Sequence, residues 1–194
     1  MTMYKKIPEL NYLIPELTKS MEHELGRRGT NNVVVRSLGF LSEPIGILDS
    51  VLMPRGFPKI KSCILFSRAG DVLQNIHIDN TSAEEFEIVN CAINFPIENC
   101  NNYMYWYQGE YDVAPVTTVD PGGVRRRYSD LIWRTGPTEL DKTIIDVPTL
   151  VNVSVPHNIE AVPVHRKLLT FRFIENPSYT SIEELLDRFG SAKY

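Results

Sequence analysis

The chain has 194 residues, of which 43% are hydrophobic and 23% are charged, as expected of a globular domain rather than a disordered or fibrous protein. Its formal net charge of −4 gives no general attraction to nucleic acid or to an acidic membrane surface. Three cysteines without a Cys-x-x-Cys pair argue against a disulfide framework and a thiolate zinc site, and no signal-like or membrane-spanning segment stands out, so we expect a cytoplasmic protein without a membrane partner.

The first predicted element is a helical extension over residues 1–30. Pro15 suits the first turn of a helix, and the apolar residues after it recur at roughly helical spacing. Short apolar runs at residues 33–35 and 45–48 are typical of strands. The β core is therefore expected to begin near residue 33.

Most of the remaining chain alternates between apolar and polar residues, with the period of a half-buried strand. The predicted strands cover residues 62–67, 72–79, 87–95, 103–107, 150–155 and 166–173. Proline and glycine interrupt residues 108–148, which we predict to be a long connection that could serve as a lid. A helix with an apolar stripe is predicted over residues 180–190.

These elements predict a mainly β protein, a jelly roll of the double-stranded β-helix or cupin-like kind, with flanking helices at both termini. We expect one domain over residues 1–194, with a jelly-roll core at about 33–175. Such folds enclose a cavity between two sheets, where inward-facing polar residues can meet a metal ion.

A possible metal site lies in the strand-like stretch that carries His77 and Asp79. Because side chains alternate along a strand, these two residues share one face, and an imidazole beside a carboxylate supplies two of the three ligands of a facial Fe(II) site. His157 is the best third ligand, because it follows a strand and a proline. His165 is a weaker alternative beside an arginine, and His23 lies on a polar helix face.

Arg166 is the fourth element of the predicted site, since it opens the last strand nine residues after His157. A guanidinium inside a β cavity needs a carboxylate partner, which a dicarboxylate chelating the iron at its other end would provide. Arg172 is the alternative anchor, because it lies on the same face of the strand.

This combination of His-x-Asp, a distal histidine and an arginine-led strand resembles the Fe(II)- and 2-oxoglutarate-dependent dioxygenases. The resemblance covers about residues 60–175 and is closest to small phage-encoded members of that superfamily. The stretches that carry it are Asn94-Phe95-Pro96-Ile97-Glu98-Asn99-Cys100, the aromatic strand ending in Trp106-Tyr107, and Val151-Asn152-Val153-Ser154-Val155-Pro156-His157.

The resemblance implies a double-stranded β-helix that holds Fe(II) through His77, Asp79 and His157 and binds the cosubstrate 2-oxoglutarate through Arg166. It also implies consumption of O2 and hydroxylation of a protein side chain, a nucleobase or a small molecule, in the host cytoplasm if the protein is phage-encoded. Leu168 stands where the family commonly has the serine of an Arg-x-Ser pair, so a hydroxyl contact is lost while the ion pair can remain.

Weaker predictions concern the substrate. Strand parity or the resemblance suggests Asn75, Asn94 and Trp106 as pocket-lining residues. A cluster of three arginines could approach nucleic-acid phosphates, although solvated loop arginines are the commoner case: Arg125, Arg126 and Arg127.

Two other functions remain open on the sequence. The chain could be a non-catalytic jelly-roll module, for instance a phage binding or structural protein that keeps the scaffold. It could also be a cupin-like metal enzyme that does not use 2-oxoglutarate. Leu168 slightly favours both alternatives over the dioxygenase, whereas the intact set of ligands favours a metal enzyme.

Overall fold

A computed structural model of the chain describes residues 2–27, 41–68, 75–79, 88–119, 125–161 and 164–191. The strand predicted at residues 33–35 lies outside these ranges. The helices are α1 (Ile14–Arg27), α2 (Ser42–Leu52) and α3 (Tyr179–Ser191). The strands are β1 (Tyr4–Lys6), β2 (Ile60–Arg68), β3 (Cys91–Glu98), β4 (Tyr103–Gln108), β5 (Tyr111–Val119), β6 (Arg125–Trp133), β7 (Thr138–Ile144), β8 (Thr149–Asn152), β9 (His157–Ile159) and β10 (Arg166–Phe173).

Two antiparallel sheets form the body of the protein. The larger sheet has the strand order β1-β8-β3-β10-β2, and the smaller sheet has the order β7-β4-β9. The segment containing His77 extends the smaller sheet, because His77 pairs with His157 of β9 in an isolated antiparallel bridge. Strands β5 and β6 pair with each other as a separate hairpin.

The order in which the chain visits the sheets makes this a jelly roll. From β2 onward the chain alternates between the larger and the smaller sheet, going from β2 to the His77 segment, then to β3, to β4 and β7, to β8, to β9 and finally to β10. Such alternation between two antiparallel sheets winds the chain into a double-stranded β-helix. The predicted fold class, with helices at both ends of the chain, is therefore confirmed.

Alternation along the strands produces two separate apolar layers. In β3 and β10 the odd-numbered residues face the helices, and the even-numbered residues face the smaller sheet. Phe95 and Phe171, for example, meet edge to face at 5.4 Å beneath the helices. Leu168 and Trp106 pack between the sheets. Because the larger sheet is covered on both faces, most residues of β3 and β10 are buried.

Truncation of Phe171, in the apolar layer beneath the helices, is expected to lower the free energy of unfolding strongly. This ring is fully buried, so we expect Phe171→Ala to lower the free energy of unfolding by about 3–5 kcal/mol in urea melts. Ile132 provides the control because its side chain is 57% exposed, and Ile132→Ala should change the free energy by at most about 0.5 kcal/mol. Equal losses in the two variants would contradict this assignment of the core.

The run at residues 45–48 is helical, so the prediction of a strand there is wrong. It belongs to α2, whose N-cap residue Leu41 has no side chain that can accept a hydrogen bond from the helix. Glu24 of α1 supplies the cap instead, because its two carboxylate oxygens accept from the backbone N–H groups of Ser42 at 3.1 Å and Glu43 at 3.2 Å. The capping group thus comes from a different element of the chain.

Residues 108–148 are not a long irregular connection, and this prediction is also corrected. They contain β5, β6 and β7, and the first two form one hairpin. Pro115 lies within β5, opposite Ser129. A proline is tolerated there because β5 pairs on one side only in the described part of the chain, so its other edge needs no N–H donor.

Among the described residues, no helix combines the length and the hydropathy needed to cross a membrane. The C-terminal helix α3 covers the segment predicted to be helical. Its first turn is capped by Ser178, whose hydroxyl oxygen accepts from the backbone N–H of Ser181 at 3.1 Å. Ile182 and Leu186 of this helix are buried against the larger sheet.

Candidate metal centre

Two backbone hydrogen bonds hold His77 and His157 directly opposite each other. The N–H of His77 donates to the carbonyl of His157 at 3.0 Å, and the N–H of His157 donates to the carbonyl of His77 at 2.8 Å. Residues that exchange both hydrogen bonds lie directly opposite each other in an antiparallel ladder, with their side chains on the same face. The two imidazole rings are accordingly 4.5 Å apart between centroids.

Asp79 joins this pair because it lies two residues after His77. The intervening Ile78 is buried at 2% exposure, so His77 and Asp79 turn to the other face as the sequence predicts. Asp79 Oδ1 lies 3.5 Å from His77 Nε2 and 3.8 Å from His157 Nε2. One ligand atom from each of the three residues lies within 4.8 Å of the others.

These separations suit a single metal ion. With metal–ligand bonds of about 2.1 Å and facial ligands about 90° apart, the ligand atoms of one ion lie about 3.0 Å from each other, so the three side chains would draw together by roughly 0.5–2 Å around an ion. Two imidazole nitrogens and one carboxylate oxygen form the donor set of a facial Fe(II) site. Among the described residues, this is the one group of histidine, cysteine and acidic side chains that could hold a metal ion.

Both histidines are oriented for binding through Nε2. The Nδ1 atom of His77 lies 2.9 Å from the carbonyl of Asn75, and the Nδ1 atom of His157 lies 2.9 Å from the carbonyl of Val155. A carbonyl can only accept, so Nδ1 carries the proton of each neutral ring. Each Nε2 is therefore unprotonated, and its lone pair points towards Asp79.

The protonation states also favour metal binding. Burial lowers the pKa of His157 to about 4, with repulsion from His77 adding to the effect, so the imidazole is neutral near pH 7. Burial alone would raise the pKa of Asp79. The positive charge of Arg172 is the largest of the effects that outweigh burial and hold that pKa well below its usual range. The site thus presents a neutral imidazole at His157 and an ionised carboxylate at Asp79.

Arg166 is buried at 5% exposure at the start of β10, and its Nε atom has no hydrogen-bond partner among the described residues. Burial lowers the pKa of its guanidinium, and the side chain of Cys100 partly offsets this as a hydrogen-bond partner. No ion pair joins Arg166 to a carboxylate in the described part of the chain. Burying an unpaired cation of this kind costs free energy, which an anionic ligand would offset.

Arg172 has a different role from the alternative anchor predicted on the sequence. Its Nη2 atom donates to Asp79 Oδ2 at 2.8 Å, and both side chains are 14% exposed. Arg166 and Arg172 do share the inner face of β10, as predicted from strand parity. Only Arg172, however, contacts one of the three candidate ligands.

The other two histidines lie elsewhere. His165 Nε2 is 2.9 Å from the hydroxyl of Ser67, and His23 pairs at 3.0 Å with Glu43 on the surface, where the His23 side chain is 62% exposed. Neither belongs to the cluster of three ligands. The choice of His157 from the sequence therefore agrees with the geometry, although its binding of a metal remains a prediction.

The suggested pocket residues occupy three different environments. Asn75 is exposed beside the site, and its backbone carbonyl accepts a hydrogen bond from Nδ1 of His77. Asn94 is buried, and its side-chain oxygen accepts from Thr170 at 2.8 Å. Trp106 has no exposed surface, and its indole N–H donates to the carbonyl of Asn152 at 2.7 Å. The environment of Trp106 favours a structural role over contact with a substrate.

The three arginines suggested for nucleic acid open strand β6. Arg125 pairs with Val119, and Arg127 pairs with Thr117, near the end of the hairpin formed by β5 and β6. Their side chains lie outside the described part of the structure. Binding of nucleic acid through them stays a sequence-based prediction.

HygX and two prolyl hydroxylases are among the solved structures that are distantly similar to this chain. HygX from Streptomyces hygroscopicus with nickel and 2-oxoglutarate bound is 15% identical, with a TM-score of 0.45, over 88% of this chain and 81% of HygX. A prolyl-4-hydroxylase from Pseudomonas putida is 11% identical, with a TM-score of 0.46, over 88% of this chain and 85% of that one.

A prolyl hydroxylase from Trichoplax adhaerens, in complex with a hypoxia inducible factor peptide fragment, is 14% identical, with a TM-score of 0.46, over 98% of this chain and 88% of that one. No protein-family model and no curated protein matches the sequence. At these identities and TM-scores the likenesses are distant, so the roles of individual residues are taken from this chain's own geometry.

Proposed function

We propose that this protein is an Fe(II)- and 2-oxoglutarate-dependent oxygenase that hydroxylates a substrate still to be identified. The observation that carries the proposal is the convergence of His77 Nε2, Asp79 Oδ1 and His157 Nε2 on one small volume. Two neutral imidazoles and one carboxylate are the donor set of the non-haem Fe(II) oxygenases, and they leave coordination positions open for other ligands.

Arg166 is the proposed anchor of 2-oxoglutarate. Its buried guanidinium lacks a carboxylate partner among the described residues, and a dicarboxylate bound to the metal at one end would supply one at the other. Arg166 and Arg172 are six residues apart on one face of β10, which corresponds to about 20 Å between their Cα atoms. That separation exceeds the length of 2-oxoglutarate, so the side chain of Arg166 would have to extend along the strand towards the metal to reach its far carboxylate.

The inner face of β10 between the arginines supplies no hydroxyl donor to such a ligand. Leu168 is apolar and buried, and the hydroxyl of Thr170 donates to Asn94. The carboxylate at the far end would thus depend mainly on Arg166, because the serine contact common in the family is replaced by Leu168. This arrangement supports an ion pair as the main determinant of cosubstrate affinity.

The side chains of this chain would position the reactants and exclude water. The two histidines hold their Nε2 lone pairs inward, Asp79 adds a negative charge, and Arg166 neutralises the cosubstrate. The iron with its cosubstrate would supply the oxidation, in which one atom of O2 enters a C–H bond as hydroxyl, the other enters succinate, and CO2 is released.

The direct test is formation of succinate. The purified protein is incubated with Fe(II), ascorbate and 2-oxoglutarate in air, and binding of 2-oxoglutarate to the nickel-loaded protein is measured by calorimetry. We expect both succinate formation and 2-oxoglutarate binding, and we expect EDTA to abolish both because each depends on the metal.

His77→Ala is the negative control, and His23→Ala is the matched surface histidine control. A protein that binds the metal but neither binds 2-oxoglutarate nor forms succinate would be a metal enzyme of the cupin-like kind, and the proposal would be wrong. A protein with no affinity for metal would instead be a non-catalytic jelly-roll module.

A further inference from the structure

Two hydrogen bonds hold the backbone of Asp79 in place. Its N–H donates to the carbonyl of Val153 at 3.0 Å, and its carbonyl accepts from the N–H of Val89 at 2.9 Å. The remaining freedom of this residue is rotation of its carboxylate about the side-chain bonds. That rotation decides whether one or both oxygens face the two histidines.

Arg172 restricts this rotation. Its Nη2 atom donates to Oδ2 at 2.8 Å, whereas Oδ1 is the oxygen that lies 3.5 Å and 3.8 Å from the histidine Nε2 atoms. The two oxygens of Asp79 thus have different partners: Oδ2 binds Arg172, and Oδ1 faces the two histidines. A charge-assisted hydrogen bond between two side chains that are each 14% exposed is stronger than one at the surface.

The pairing of β2 with β10, the strand that carries Arg172, is irregular at this point. Between β10 and β2 the register shifts at Arg172 and Phe173, since Arg172 pairs with Ser62 while Phe173 pairs with Ile60. The extra residue is Lys61 of β2, and irregularities of this kind increase the local twist and are frequent beside active sites. The register shift lies directly beside Arg172, whose side chain contacts Asp79.

We infer that Arg172 is a positioning residue that keeps Asp79 a monodentate ligand, so that three coordination positions of the metal stay open. This inference rests on the proposed function. If Oδ2 were released, it could also bind the ion, and the carboxylate would then occupy one of the positions needed by a chelating cosubstrate. Arg172 thereby acts on cosubstrate binding through Asp79.

The test counts the water molecules on a bound metal. Mn(II) is added to the wild type and to Arg172→Met, and the relaxation of water protons by the bound ion is measured without cosubstrate. We expect the inner-sphere contribution to fall by about one third in Arg172→Met, since three open positions become two. The affinity for Mn(II) should not fall, because the lost guanidinium repels the ion and the second oxygen adds a contact.

Three comparisons make the test specific. Arg172→Lys keeps a donor at this position and should restore most of the relaxation, and Arg166→Met on the same strand face should leave it unchanged. Calorimetry on the nickel-loaded proteins should show at least about a tenfold weaker binding of 2-oxoglutarate by Arg172→Met. If Arg172→Met does not fold, Arg172→Gln replaces it, because its shorter side chain does not reach Asp79 in the same way.

Equal relaxation in the wild type and Arg172→Met would overturn the inference while leaving the proposed function intact. A parallel loss of melting temperature and Mn(II) affinity in Arg172→Met and Arg172→Gln would also overturn it, because Arg172 would then be only structural. A wild type that does not bind Mn(II) would overturn both this inference and the proposed function.

Discussion

Replacing His157 with alanine is expected to abolish stabilisation of the protein by divalent metal. A ligand present at 100 times its dissociation constant stabilises a protein by about 2.7 kcal/mol, which for a chain of this length is a shift of roughly 5–10 °C in melting temperature. We expect that shift with Mn(II) or Ni(II) in the wild type. It should vanish in His157→Ala, because a buried neutral imidazole that faces Asp79 is removed.

The quantity to measure is the difference in melting temperature with and without metal. His157 is 4% exposed, so its removal also leaves a cavity and lowers the melting temperature of the metal-free protein. Asp79→Ala should behave in the same way, whereas His165→Ala should keep the full shift, since that histidine bonds with Ser67. A metal-induced shift that persists in His157→Ala would place the ion elsewhere.

The second large effect concerns Arg166→Met. Removing one partner of a buried charge pair costs about 2–5 kcal/mol, so the affinity of the nickel-loaded protein for 2-oxoglutarate should fall roughly 30-fold to several thousand-fold. The affinity for metal should stay the same, because Arg166 contacts none of the three ligands. Calorimetric titrations of the wild type and Arg166→Met measure both quantities.

The same substitution has an unusual consequence for stability. In the absence of cosubstrate, Arg166 is a buried cation without a carboxylate partner among the described residues, so methionine should leave the free energy of unfolding unchanged or raise it. Lys167→Ala is the control, because Lys167 faces the opposite side of β10 and pairs with Glu98 at 2.6 Å. Loss of 2-oxoglutarate binding in Lys167→Ala, or its retention in Arg166→Met, would rule out the proposed anchor.

The features that the sequence predicts well are those set by local alternation. The last strand is predicted at residues 166–173 and observed as Arg166–Phe173, because its residues alternate between two buried faces. Alternation likewise turns His77 and Asp79 to the same side. The distal histidine could be chosen because a strand and a proline precede it, and His157 indeed lies opposite His77.

The features that the sequence misses depend on contacts between distant elements. The apolar run at residues 45–48 is too short to distinguish a strand from a helix, and its capping residue Glu24 comes from another helix. Pro115 indicates a break, yet it is accommodated on a strand with one open edge. The partner of Arg172 is set by the packing of the His77 segment against β10, which no local pattern records.

The most direct test of the central claim is a crystal structure of the protein soaked with Mn(II), with anomalous scattering used to locate the ion. We predict one strong anomalous peak in bonding contact with His77 Nε2, Asp79 Oδ1 and His157 Nε2, and with Asp79 Oδ2 still bound to Arg172. A peak at any other place, or an empty site between these three residues at saturating Mn(II), would contradict the assignment of the metal centre and, with it, the proposed oxygenase.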